Sequence, residues 1–295
     1  MLNGYLKILF SSVLVLTLGT FFSKKAQAQY FVNDTFTDGY FNNGIDSFDV
    51  SWLGISSNYP GTFSTPSQIQ LNVVDDSILG NGKALNIDTP TFTTSRSNFI
   101  PTHFAVGTFA PVSLGNEVGD TLYLSFDFRF TTKPSTSATS SQFPVYRRGA
   151  FRFGLYNSAS TPVTSNILAP LVNSSTPIED DGGYFVLVGL AGTNSLLLCK
   201  ENFNSGDTIT GGYGSVQLTS TTSVPTIDDT ARHTAVLTIM RLDSQTVRIS
   251  TSIDGLLIKT VDSGSEIITS FDEIAVRSVF SDLDVIIDNV ILQAL

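Results

Sequence analysis

Cysteine, histidine, tryptophan and cationic residues are all scarce in this 295-residue sequence, and each scarcity closes off a class of protein. There is one cysteine, Cys199, so no disulfide can form within the chain and the fold has to be held by its core. It lies in the run Leu196-Leu197-Leu198-Cys199 and reads as a small buried hydrophobe; a nucleophile would need a basic partner nearby. The two histidines, His103 and His233, each open a strand-like run. They form no zinc spacing, and no Ser-His-Asp pattern or phosphate-binding loop accompanies them. Lys and Arg number 16 against 26 Asp and Glu, a net charge of −10. Nucleic acid and anionic membranes require a basic face, so neither is an expected partner. Ala, Glu and Lys are sparse, no segment has a 3.6-residue apolar period, and no repeat of 20–50 residues is present.

Long apolar runs are also lacking, with one exception. Ile8 to Phe22 is about 15 residues long and includes Ser, Thr and Gly, short of the roughly 20 that cross a bilayer. Lys7 precedes it and Ala26-Gln27-Ala28 follows, so residues 1–28 read as a secretory signal peptide cleaved after Ala28. A retained anchor is the alternative. No cysteine follows the run as a lipoprotein anchor would need, and no membrane span is expected after cleavage. Cleavage removes Lys7, Lys24 and Lys25 and no acid, leaving a net charge of about −13. The expected product is secreted, periplasmic or at the cell surface. Residues 29–295 suffice for one domain with its own core.

What the sequence does have is period-two alternation in Phe, Val, Ile and Thr. In Thr121 to Thr131, Leu122, Leu124, Phe126, Phe128 and Phe130 share one face, and Tyr123, Ser125, Asp127 and Arg129 the other. In Ala150 to Asn157, Phe151, Phe153 and Leu155 oppose Arg152, Gly154 and Tyr156. These two strands are expected to pair, with the Ser/Thr-rich segment between them looping out. Similar runs predict strands near residues 48–53, 69–74, 84–88, 103–111, 184–190, 195–201, 234–242, 246–254, 256–261, 271–280 and 284–292. Asp254-Gly255 predicts a hairpin turn. The apolar last stretch, 282–295, is expected to lie in a sheet beside the first strand, near Tyr30 to Phe36, because an unpaired apolar strand invites aggregation. Residues 158–183 and 202–229 read as long polar loops. The expected fold is all-β: one jelly-roll β-sandwich of two antiparallel sheets.

Four blocks carry a resemblance: Asp34-Thr35-Phe36-Thr37-Asp38-Gly39, Leu124 to Phe130, Phe151 to Asn157, and Ile287-Asp288-Asn289-Val290. In this order they resemble a group of uncharacterised bacterial secreted proteins with a concanavalin-A-like (laminin-G-like) jelly roll. The resemblance implies the fold and no settled activity; its wider structural relatives include lectins, glucanases and polysaccharide lyases. Similar modules often hold a structural calcium where the first and last strands meet, which implies Asp34, Asp38 and Asp288 as ligands. The alternative is that Asp288-Asn289 simply bulges the last strand.

Tyr123, Asp127, Arg129, Arg152 and Tyr156 form the candidate ligand face. Arg can grip a carboxylate and Tyr can pack on a sugar ring, so a polysaccharide or cell-surface glycan is the implied partner. Internal pairing of Asp127 with Arg129 or Arg152 is the other reading. Trp52 alternates with Phe48 and Val50 and is expected to pack. Phe (22) outnumbers Tyr (9) and Trp (1) together, as in a chain whose aromatics mainly fill a core. The Glu-x-Asp-x-x-Glu strand of jelly-roll glucanases is absent, and Glu179-Asp180-Asp181 reads as a turn. Phe151 to Asn157 is similar to the Tyr-bearing strand of alginate-lyase-like enzymes, but their companion Arg and His motifs are missing. An exported, non-catalytic glycan-binding or cell-surface protein is therefore the leading expectation. A polysaccharide-cleaving lyase and a structural extracellular protein are the alternatives.

Overall fold

The structure, a computed structural model, describes residues 28–42, 48–58, 69–80, 82–89, 102–133, 150–170, 177–190, 195–203, 209–210, 215–221, 227, 229–264, 266–279 and 283–295. The signal peptide expected at residues 1–28 lies almost wholly outside them. No helix among the described residues is long and apolar enough to cross a membrane.

Among the described residues sixteen strands, numbered in chain order, form two sheets. Sheet A runs β14 (Leu256–Ser263), β13 (Thr246–Ile253), β12 (His233–Asp243), β6 (Thr121–Phe130), β16 (Val285–Ala294), β4 (Gly82–Asp88), β3 (Gln70–Asp76), with β1 (Gln29–Asp34) also on β16. Sheet B runs β11 (Val216–Thr221), β10 (Leu196–Glu201), β9 (Gly182–Gly189), β7 (Ala150–Asn157), β15 (Ser270–Val279), β5 (Thr102–Ser113), β2 (Ser51–Asn58), β8 (Ile167–Pro170). Among the described strands all pairs are antiparallel except β2 with β8. The last strand organises sheet A: β6 flanks it on one side, while β4 pairs with its first residues and β1 with its later ones on the other. The first and last strands therefore lie side by side, as the apolar end of the sequence predicts.

The alternation reads the core correctly. Leu122, Leu124, Phe126, Phe128 and Phe130 from β6 meet Phe151, Phe153 and Leu155 from β7 in one buried cluster. Phe128 stacks on Phe151 at 4.4 Å, and Phe126 meets Phe153 edge-on at 5.1 Å. Burying each such side chain stabilises the fold by roughly 1.5–3 kcal/mol. These contacts also correct the expected pairing of the two strands. β6 pairs with β12 and β16, and β7 with β9 and β15. The two Phe-rich strands face each other across the sandwich instead of lying side by side, because both present their apolar faces to the same core.

A second apolar layer covers the outer face of sheet B. Tyr156, Phe185, Leu187, Leu197 and Cys199 project from the strands, and Val163, Ile178 and Ile209 close over them from the connecting segments. Segments that read as polar loops thus form part of a packed layer.

Candidate functional site

The candidate site is an open cleft where this covering layer ends. In β15 against β5, Phe271 pairs with Val112 and Glu273 with Thr108. Three residues, Phe109, Ala110 and Pro111, therefore stand opposite the single Asp272. Such a bulge breaks the ladder and redirects side chains. Phe109, Ala110 and Pro111, with Leu53, Ser51 and Thr108, form one wall; Pro162, Val163 and Thr164 form the other, and Asn42 and Asp272 complete the lining. The cleft has a volume of about 640 Å³. Asp272 is fixed by Ser158, whose backbone N–H (2.8 Å) and hydroxyl (2.6 Å) each donate to one of its oxygens. Its walls combine an aromatic ring and proline faces with amide, hydroxyl and carboxylate groups.

Behind the Pro162–Thr164 wall lie Glu273, on β15, and Asp180 and Asp181, which the sequence reads as part of a turn. Glu273 is fully buried, and its Oε1 accepts the Val163 N–H at 2.8 Å. Asp181 is buried beside it at the start of β9. Both carboxyls are held well above the ordinary carboxylate range. Burial is the main cause for each, and the neighbouring acids add to it. Tethering across this region continues at Asp180, which accepts the Thr161 hydroxyl at 2.8 Å.

The five expected ligand residues do not form one face. Tyr123, Asp127 and Arg129 lie on the outer side of sheet A, Arg152 and Tyr156 on the outer side of sheet B. Arg129 grips Asp76, with Nε at 2.6 Å and a terminal nitrogen at 2.5 Å from one carboxylate oxygen. That contact holds the Asp76 carboxyl below its usual range despite burial. Asp127 pairs with Arg232 at 2.6 Å and accepts from Thr234 and Asn289. Arg152 is buried and donates to the Thr210 carbonyl at 2.5 Å. The Tyr156 hydroxyl accepts the Thr210 N–H at 2.8 Å, and complete burial pushes it well above the usual phenol range. Tyr123 is half-buried. Four of the five engage partners within the protein, but neither pairing expected for Asp127 forms, because Arg129 turns to Asp76 on β3 and Arg152 lies in the other sheet.

Each of the three acids expected to hold calcium accepts a backbone or side-chain N–H, while Oδ2 of Asp288 is buried without a partner among the described residues. Asp34 accepts the Trp52 indole N–H at 3.0 Å and the Phe36 N–H at 3.2 Å, and Asp38 accepts the Tyr40 N–H at 2.9 Å. Asp288 accepts the Asn289 N–H at 2.7 Å. Burial raises Asp34 and Asp288 to about 6. Asn289 has a φ of +54°, and the β16 register shifts there, so the bulge expected at Asp288-Asn289 is present. Among the described residues no three His, Cys, Asp or Glu side chains are spaced to hold a metal ion. Trp52 packs in the core, as expected, and Asp34 satisfies its polar edge.

No protein-family model matches the chain, and no curated protein matches it. Among solved structures, it is similar to the carbohydrate recognition domain of Emp46p in its metal-free form, at 12% identity and a TM-score of 0.44, covering 76% of this chain and 86% of that one. It is similar to an endo-β-1,4-glucuronan lyase from the fungus Trichoderma reesei, at 12% identity and 0.42, covering 80% and 93%. A prokaryotic β-1,3-1,4-glucanase (lichenase) derived from a mouse hindgut metagenome aligns at 10% identity and 0.42, covering 90% and 97%. At these values no residue of those proteins can be carried over to a position in this chain.

Proposed function

We propose that this chain is an exported glycan-binding protein that holds its ligand in the cleft at the β5 bulge without cleaving it. The observation that carries the reading is the make-up of the cleft, which Phe109 and Pro111 line together with Asn42, Ser51, Thr108 and Asp272. A sugar ring has an apolar C–H face and a polar rim of hydroxyls. An aromatic ring and prolines pack against the first, while amide, hydroxyl and carboxylate groups hydrogen-bond the second. The segments around Pro162 that border the cleft are the kind of loop that carries recognition on a rigid sheet.

Binding is favoured over cleavage because the tyrosine and histidine that could serve as acid or base are sealed away from the cleft. Tyr156, which a lyase would use, is fully buried with its hydroxyl engaged by Thr210. His103 lies buried against Ser56, and burial lowers it to about 4. Neither can exchange a proton with a ligand in the cleft. A glycan array on the mature protein, run beside lyase and hydrolase assays on the glycans it retains, tests the proposal. The expected outcome is retention without turnover. Turnover of a retained polysaccharide would replace the proposal with the enzyme reading, and failure to retain any glycan would leave the structural reading.

A further inference from the structure

Behind the cleft wall, four carboxylate oxygens have no hydrogen-bond partner among the described residues: both of Asp181, Oε2 of Glu273 and Oδ1 of Asp180. Asp181 is 1% exposed and Glu273 0%, so water does not solvate them freely. A buried ionised carboxylate without donors is strongly disfavoured. The charges that act on the pair are further acids: Asp180 on the segment before β9, Asp272 on β15 and Glu201 on β10. Tyr156 on β7 stands opposite Glu273. The described bases of this sheet face, Arg152 and Arg277, are cross-strand partners four residues, about 13 Å, further along and engage Thr210. No group spaced for a metal ion supplies the missing positive charge among the described residues.

We propose that the Asp181–Glu273 pair keeps at least one proton in the folded protein, and that losing it opens the covering segments around Pro162–Thr164 and Ile178–Asp181. The mechanism is electrostatic. With both groups ionised, two charges repel in a poorly screened interior, and the least costly relief is to move the covering segments and admit water. These segments move together because Val163 N–H donates to Glu273 and the Thr161 hydroxyl donates to Asp180. Val163 also lines the cleft, so the same step loosens one wall of the ligand site. That consequence rests on the glycan-binding reading; the opening itself does not.

The folded pair holds protons that the unfolded chain has already released above about pH 4. Its contribution to stability is therefore complete below that pH and is lost as pH rises toward the raised folded values. Cys199 offers a ligand-free reporter, since it is buried in the same layer as Val163 and Ile178. The experiment follows the rate at which a small disulfide reagent labels Cys199 in the mature protein and in Asp181→Asn, from pH 6 to pH 9. The ratio of the two rates cancels the pH dependence of the thiol itself. Equal rates at pH 6 and wild-type labelling at least tenfold faster at pH 9 are expected; a ratio that does not change with pH overturns the proposal. Should Asp181→Asn not fold, wild-type melting alone decides. The unfolding equilibrium constant should rise by up to tenfold per pH unit for each group, and a flat profile across this range overturns the proposal. A calcium-induced rise in melting temperature that Asp181→Asn abolishes would assign the oxygens to a cation and overturn it as well. Because labelling needs no glycan, a failure of the ligand reading and a failure of the proton reading remain distinguishable.

Discussion

Arg129 and Arg152 show how far a side chain's role depends on what lies opposite its strand. Alternation correctly turns both away from the core, yet one faces β3 and the other the covering layer of sheet B. Arg129 neutralises Asp76, whose side chain is 1% exposed and whose other oxygen receives the N–H groups of Ile78 and Leu79. Arg129→Ala should therefore destabilise the protein by about 2 kcal/mol, because it strands a buried acid. Asp76→Asn with Arg129→Ala should recover part of that loss in a double-mutant melting series. Full additivity of the two changes would contradict the pairing. The hydrogen bonds that Asp34, Asp38 and Asp288 accept within the chain give a second expectation. Melting midpoints in calcium and in chelator should be equal, and a rise of several degrees in calcium would show that these acids rearrange around an ion.

At the scale of elements, legibility followed burial pattern. The Phe-rich strands β6 and β7, the β12–β13–β14 meander and the final strand all carry strong alternation and were readable to within a few residues. The strands Ile167–Pro170 and Val216–Thr221 lay in segments that read as loops. Both are short edge strands, and VQLTST has no buried position to generate a signal. The cleft was equally silent. It arises from a three-against-one bulge in the β5–β15 ladder, and period-two patterning describes which face a residue takes but not which strand or residue it meets. The covering layer was missed because Val163, Ile178 and Ile209 are isolated apolar residues in polar surroundings. The turn, by contrast, was explicit. Asp254 (φ +49°) and Gly255 (φ +84°) close β13 onto β14, and Asp254 accepts from Thr234 N–H and lies 2.7 Å from His233. Gly255→Ala forces a side chain into left-handed backbone. It should cost about 1 kcal/mol, or about 2 °C in melting temperature; no change would mean that the turn relaxes freely.

For the whole molecule, the buried acids set an unusual dependence on pH. Asp34, Asp288, Glu273 and Asp181 are all raised, so each contributes stability that is complete below about pH 4 and fades as pH climbs. His103 opposes them. It is held neutral by burial, and its contribution is lost as pH falls from about 6.5 toward 4. Four raised acids outweigh one histidine, so a melting series from pH 4 to pH 9 should be highest at its acidic end and fall as pH rises. A maximum above pH 8 would mean that these acids are not buried in solution as described.

The two sheets are further joined at one flank by Tyr184, which donates to Asp262 at 2.6 Å while Lys200 pairs with the same carboxylate at 2.9 Å. The most direct measurement is a calorimetric titration of the glycan that the array retains most strongly. It compares the mature protein with a cleft variant, Asn42→Ala with Phe109→Ala, and with Tyr123→Ala on the opposite sheet. Loss of one neutral hydrogen bond, about 1 kcal/mol, together with the aromatic contact should weaken binding by about tenfold or more in the cleft variant. Tyr123→Ala should bind as tightly as the wild type. Weakened binding in Tyr123→Ala with an unaltered cleft variant would contradict the assignment of the ligand to the β5 bulge.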